Sequence, residues 1–409
     1  MDLYKREKYL KRIRPFYETD DLIKVITGVR RCGKSSLMKM IRDELKLSGV
    51  KDEQNIYIDL DSRQYRKITH ADDLEQIIEN NSISDEMKYL FIDEIQNVDG
   101  FENVINAFRT EGNYSIFITG SNSYLLSGEL STKLTGRYIE FEIYTLTFDE
   151  YEDMKKFYNK PVNSNTLIEL NNYILEGGFP RTIQFDDLET KRTYTGSVVK
   201  EIFEKDIKKR VKIKNVDVFN NVEHFLINNF GSTMSISGLQ KALEQNGTKV
   251  SRRTISNYIQ TLVDAKILYE CSRFDMKSKR SLVGEKKYYI SDLSFYFSLN
   301  TDNQIHYGPV LENIIYFYAR SHNYSISVGR IGKLECDFIL RNHDMNYAYV
   351  QIAYTIAANK KTEDREYKPL ELIKDNYPKY VMTTDYLLQK RSGIHHVNLL
   401  EFMMNNCEF

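Results

Sequence analysis

The octet Gly28-Val29-Arg30-Arg31-Cys32-Gly33-Lys34-Ser35 sets the narrowest limit on how this chain folds. It has the pattern GxxxxGK[ST], directly follows the apolar run LIKVIT at residues 22–27, and runs on into the helix-like SLMKMIRDELKL. Glycines at both ends let main-chain N–H groups curl around phosphate oxygens, an approach that side chains would block. A helix opening at Lys34 adds its positive end, the Lys34 ammonium reaches the β- and γ-phosphates, and Ser35 offers a hydroxyl to Mg²⁺. Gly28, Arg30, Arg31, Cys32, Gly33, Lys34, Ser35 and Ser36 are the candidate phosphate-loop contacts.

A phosphate loop of this kind needs a carboxylate on a nearby strand to hold the metal. The stretch YLFIDE at residues 89–94 supplies four apolar residues and then two acids. Buried strands do not end in paired carboxylates without a partner cation, because desolvating two charges is costly. Asp93 is assigned to Mg²⁺ together with Ser35, and Glu94 to orienting the attacking water as general base. The run at residues 115–119 ends in Gly120-Ser121-Asn122, so Asn122 or Ser121 can touch the γ-phosphate or the water, unless this is an ordinary turn. Arg137 directly precedes the next apolar run. It can serve as a finger in a neighbouring subunit's site, or form a surface ion pair, the commoner fate of a lone arginine.

Short apolar runs at 23–27, 56–60, 89–93, 116–119 and 138–143 alternate with helix-like segments such as 35–47, 72–80 and 101–111. That alternation predicts an α/β layer with a mostly parallel sheet. The 57 Lys and Arg nearly cancel the 58 Asp and Glu, so any basic surface for nucleic acid must be local. The four cysteines never form a CxxC pair, which argues against a zinc ribbon or disulfide framework and fits a reducing, cytoplasmic setting. The charged start MDLYKREKYLKRIR has no apolar core for a signal peptide, and no window of about 18 apolar residues suggests a membrane span.

The loop, the DEIQ after it, the strand ending in TGS, the LSTKLTGR stretch and the later GGFP together resemble the bacterial and archaeal AAA-type ATPases. In those proteins an ATPase core precedes a winged helix and a restriction-endonuclease-like domain. The resemblance implies a five-stranded parallel core, ATP rather than GTP, Asn122 as sensor and Arg137 as finger. Gly178-Phe179-Pro180 is similar to the glycine–proline turn with which signalling ATPases of this superfamily close a lid on nucleotide. That places Pro180 among the nucleotide contacts. The expected architecture is α/β: a P-loop parallel sheet (residues 1–147), a helical lid (148–215), a winged helix (216–300) and a small PD-(D/E)XK-like α/β domain (301–409).

Ser251 is placed to cap a helix whose first turn carries Arg252 and Arg253, and a basic ribbon follows. Residues 235–290 hold 11 Lys or Arg against 5 Asp or Glu, the balance a groove-reading helix with a phosphate-touching wing requires. A winged helix can equally mediate protein contacts. In the last segment, Glu312, then Asp337, then Gln351 and Ala353 follow the order of the PD-(D/E)XK nucleases, in which the last position is a lysine. Replacing that acid by Gln351 and that lysine by Ala353 leaves little nuclease chemistry, and Glu366 is assigned to pairing along a helix face beside Arg365. The preferred function is Mg²⁺-dependent ATP hydrolysis in a chain that can form homo-oligomers. The alternatives are a DNA- or RNA-binding protein gated by ATP and an ATP-licensed nuclease.

Overall fold

The computed structural model describes residues 2–120, 134–208, 213–278, 280–300 and 305–409. It divides into two compact units, one of residues 1–144 with 264–266 and one of residues 145–263 with 267–409.

In the first unit, β1 (Ile23–Thr27), β2 (Asn55–Asp59), β3 (Lys88–Asp93), β4 (Tyr114–Gly120) and β5 (Tyr138–Glu142) form one sheet in the order β2-β3-β4-β1-β5. Every neighbouring pair is parallel. β1, β3 and β4 are buried along their whole length, as expected of strands covered on both faces. α1 (Glu7–Ile13), α2 (Lys34–Leu47), α3 (Ala71–Asn81) and α4 (Phe101–Glu111) surround it. Leu74 and Ile78 of α3 join Val104, Ile105 and Phe108 of α4 in one apolar cluster against the sheet. The strands begin or end within two residues of the runs read from the sequence. The ends of β1, β2, β3 and β4 line up at one edge: Asp59 is opposite Asp93, Ile26 opposite Thr119 and Thr27 opposite Gly120.

The second unit opens with α5 (Phe148–Phe157), α6 (Thr166–Glu176), α7 (Leu188–Glu201) and α8 (Val216–Asn228). Next come β6 (Thr233–Met234), α9 (Ile236–Gln245), α10 (Arg252–Asp264), β7 (Leu268–Asp275), β8 (Arg280–Ile290), α11 (Ser294–Leu299) and α12 (Tyr307–Ser321). The chain ends with β9 (Ser325–Ile331), β10 (Leu334–Arg341), β11 (Tyr347–Ile352), α13 (Lys360–Glu371), β12 (Lys379–Thr383), β13 (Lys390–Arg391), β14 (Ile394–Asn398) and α14 (Leu399–Met404). Nine strands share one mixed sheet, in the order β13-β14-β12-β11-β10-β9-β7-β8-β6. A continuous sheet therefore runs across the boundary expected at residue 300. The join is the parallel pairing of β7 with β9, Arg273 opposite Val328 and Asp275 opposite Arg330. Phe274 makes it favourable by packing into the apolar cluster of Ile331, Cys336, Ile339 and Tyr349.

Glu223 lies on the buried face of α8 with Phe219, Val222, Leu226 and Ile227. Burial alone pushes its carboxyl up to about 7, against about 4.3 for a free glutamate. The folded chain thus keeps this proton in a range where the unfolded chain releases it. The resulting stability is complete below about pH 4 and is lost as pH rises through 7, by on the order of 3 kcal/mol. Glu223→Gln is expected to raise the melting temperature by several degrees at about pH 8, with the gain shrinking towards pH 5 in thermal unfolding scans.

Candidate functional site

The loop leaving β1 is shaped by backbone conformations few residues adopt. Gly28, Arg31 and Gly33 have φ of 145°, 69° and 111°. A Cβ on Gly28 would sit 2.2 Å from the Ile143 carbonyl oxygen and 2.8 Å from Cys32 Sγ, so only glycine fits there. Gly33 caps α2, leaving the helix's first N–H groups facing the loop. The Lys34 side chain is buried, and its Nζ donates to the carbonyls of Gly28 at 3.1 Å and Val29 at 3.3 Å. Ser35 and Ser36 follow, half-buried, in the first turn of α2. Cys32 is fully buried and burial raises its thiol pKa, so it supports the loop rather than acting as a nucleophile. Arg6 braces the loop from below: its guanidinium donates to the carbonyls of Cys32 at 3.2 Å and Tyr144 at 2.8 Å.

β4 lies between β1 and β3, which separates the loop from the acidic pair by two strand spacings, about 10 Å. Asp93 is buried and accepts from the Tyr57 hydroxyl at 3.2 Å and from Thr119 Oγ1. Thr119 in turn accepts from the Glu94 N–H at 3.0 Å, so one hydroxyl holds both acids at the strand tip. Glu94 takes a left-handed conformation, φ 57° and ψ 45°, which turns it away from the strand direction. Its carboxylate meets Arg30 of the loop at 3.8 Å and accepts from the Gln96 amide, whose own carbonyl oxygen is buried with no partner among the described residues. The loop and the acidic pair are thus brought together.

Sequence reasoning overlooked Thr119, Tyr57 and Asp59. Asp59 ends β2 directly beside Asp93; burial, with the Asp93 charge, raises its pKa. The sign was available, since NIYID closes on an acid just as YLFID does. Among the described residues no three His, Cys, Asp or Glu gather as a metal-ligand set. A hydroxyl and one or two carboxylates fit Mg²⁺ delivered with a triphosphate, which keeps water and phosphate oxygens as its other ligands.

Asn122 and Ser121 lie outside the described residues. Arg137 is exposed at the opposite edge of the sheet, its carbonyl accepting from the Ile23 N–H at 2.9 Å and its guanidinium bonded to Asn106 at 3.2 Å. The length of β1, on the order of 15 Å, keeps it from the loop of its own chain.

Pro180 belongs to the second unit and opens a short helical turn, Pro180–Gln184. The glycines before it are required by close passage. A Cβ on Gly177 would lie 2.1 Å from Asp292 Oδ1, and one on Gly178 2.4 Å from the Leu146 carbonyl oxygen. Buried Asp292 accepts from the Gly178 N–H at 2.8 Å, while Phe179 packs edge-on against Phe295.

In α10, the Ser251 hydroxyl caps the Thr254 N–H at 3.1 Å and Arg252 and Arg253 are exposed. The basic ribbon is less available than its composition suggests. Arg273, Lys286 and Lys287 are paired with Glu335, Glu270 and Glu312. Glu366 keeps the expected pairing with Arg365, at 2.6 Å, and adds a second partner. It is buried and accepts from the Gln351 amide at 3.0 Å, because α13 lays that face on the sheet.

An AAA domain family matches residues 20–152, and a domain of unknown function (DUF8612) matches residues 167–304. An uncharacterized protein of Haemophilus influenzae is 35% identical over 402 residues, 98% of each chain. One from Methanocaldococcus jannaschii is 30% identical over 386 residues, 92% of this chain and 84% of its own. The Walker-type ATPase of Pyrococcus abyssi shares the fold with a TM-score of 0.51 and 15% identity, across 73% of this chain and 96% of its own. No described helix is long and apolar enough to cross a membrane. With an AAA domain around its phosphate loop and full-length relatives in a bacterium and an archaeon, the chain belongs to the AAA-type P-loop ATPases.

Proposed function

We propose that this chain is a Mg²⁺-dependent ATPase in which the nucleotide state changes the arrangement of the lid (148–215) and the segments after it. The contact between Arg30 of the loop and Glu94 of the acidic pair carries this reading, since a single γ-phosphate then lies within reach of both. Lys34, whose ammonium donates to carbonyls of its own loop, is set to turn to the β- and γ-oxygens. Ser35 and Asp93 would hold the metal ion, which supplies charge neutralisation across the phosphates. Glu94 orients the water, with its backbone fixed by Thr119. A bound triphosphate offers Arg30 a stronger anion than Glu94 and so frees that carboxylate for its task. Pro180 joins the site as part of the lid, and Arg137 acts on a neighbouring subunit's nucleotide. Gln351 and Ala353, neutral where a nuclease needs an acid and a lysine, support a last segment without nuclease chemistry.

The exposed Arg252 and Arg253 at the capped start of α10 favour a second reading, in which the protein also binds nucleic acid.

Lys34→Ala is expected to weaken nucleotide binding by tenfold or more, whereas Glu94→Gln keeps binding and lowers turnover about a hundredfold. Titration with a fluorescent nucleotide beside a steady-state phosphate-release assay measures both, and undiminished turnover in Glu94→Gln would refute the assigned base. Arg137→Ala should lower the rate, and mixing it with Lys34→Ala protein should recover part of it. No recovery in an oligomer of proven mixed composition rules out the trans role. Duplex DNA binding should fall steeply with salt and with the paired Arg252→Ala and Arg253→Ala changes. An anisotropy titration at about 50 mM salt with no signal removes the second reading.

A further inference from the structure

We propose that the Lys287 ammonium is the built-in counter-cation of the carboxylate cluster in the nine-stranded sheet, filling the role that a divalent metal ion would otherwise take. The cluster draws Glu312 from α12, Glu335 and Asp337 from β10, and Glu366 from α13, with Gln351 of β11 donating to Glu366. The Lys287 and Glu312 side chains are 4% and 13% exposed, too deep for either charge to be left without the other.

Lys287 enters from β8, where it pairs with Thr233 of β6 and Cys271 of β7. Its Nζ lies 2.8 Å from Glu312 Oε2 and 2.8 Å from Glu335 Oε1. The Tyr289 hydroxyl donates to the same Glu312 oxygen at 3.0 Å, and Arg273 takes the other Glu335 oxygen at 2.9 Å. Glu366 turns to Arg365 and Gln351. Asp337 accepts the Ile352 N–H at 2.8 Å, and burial, followed by the Glu312 charge, raises its pKa well above the usual carboxylate range. Among the described residues Lys287 is the one cation paired with Glu312. The acids are thus already spoken for by an ammonium, two guanidiniums and backbone, while Mg²⁺ demands near-octahedral oxygen ligands. Ala353, just past β11, brings no cation, and the ammonium that meets Glu312 and Glu335 comes from a strand more than sixty residues earlier.

The same contact ties β8 to α12 and β10, so it latches residues 216–300 to residues 301–409.

The test uses the full chain without nucleotide. Lys287→Met should lower the melting temperature by about 5–15 °C, and millimolar Mn²⁺ should recover much of the loss. Adding Glu312→Gln to that variant should restore stability without metal. Wild type should gain nothing from Mn²⁺ at this cluster. Lys287→Met melting like wild type overturns the proposal. So does a Mn²⁺-induced rise in wild type that Asp337→Asn abolishes, since the acids would then hold metal beside the lysine. If Lys287→Met does not fold, the double variant decides: a folded double supports the counter-cation role, and one that also fails to fold overturns it.

Discussion

The parallel register of the first sheet is the constraint on which the candidate site rests. Because β1, β3 and β4 end at a common edge, a loop, a carboxylate and a threonine that are remote in sequence become neighbours. Thr119 is the hinge of that meeting, since its hydroxyl donates a hydrogen bond to Asp93 and accepts one from the Glu94 backbone N–H. Slip β4 by one residue and Thr119 points to the other face of the sheet. Both acids would then lose their support, although every motif would remain intact.

The loop was legible because its chemistry is local. A glycine pair, a lysine and a serine at fixed spacing between a strand and a helix leave little freedom, and the strand runs around them were found almost to the residue. Asp59 and Thr119 were missed because their meaning lies in register, which a single strand does not reveal. Arg137 was seen, but its position at the far edge became apparent only when β5 was laid beside β1. Gly178-Phe179-Pro180 reads in sequence as a lid turn, and Gly177 precedes it. Its immediate cause is the closeness of Asp292 and Leu146, partners more than a hundred and about thirty residues away.

The second unit shows the same limit more strongly. Alternation along β7 and β8 marks a hairpin and says nothing about a third strand joining its edge. Composition counted Lys287 among the cations of a nucleic-acid wing, whereas in the fold it neutralises acids from a helix and a strand that follow it. Glu366 is read as pairing along its own helix face, and in the fold it keeps Arg365 while also accepting from Gln351 of another element. In each case a charged residue inside a charged stretch proved to face inward, where its partner comes from another element.

β8 has a mechanical meaning beyond its pairing. Just past its end, Asp292 grips the turn at Gly178, and within it Lys287 grips the last α/β segment. Between these anchors the strand is tied laterally to β7 and through it to β9. One strand and the residue just past it thus hold two segments, the glycine turn and the start of the last segment, that lie more than a hundred residues apart in sequence.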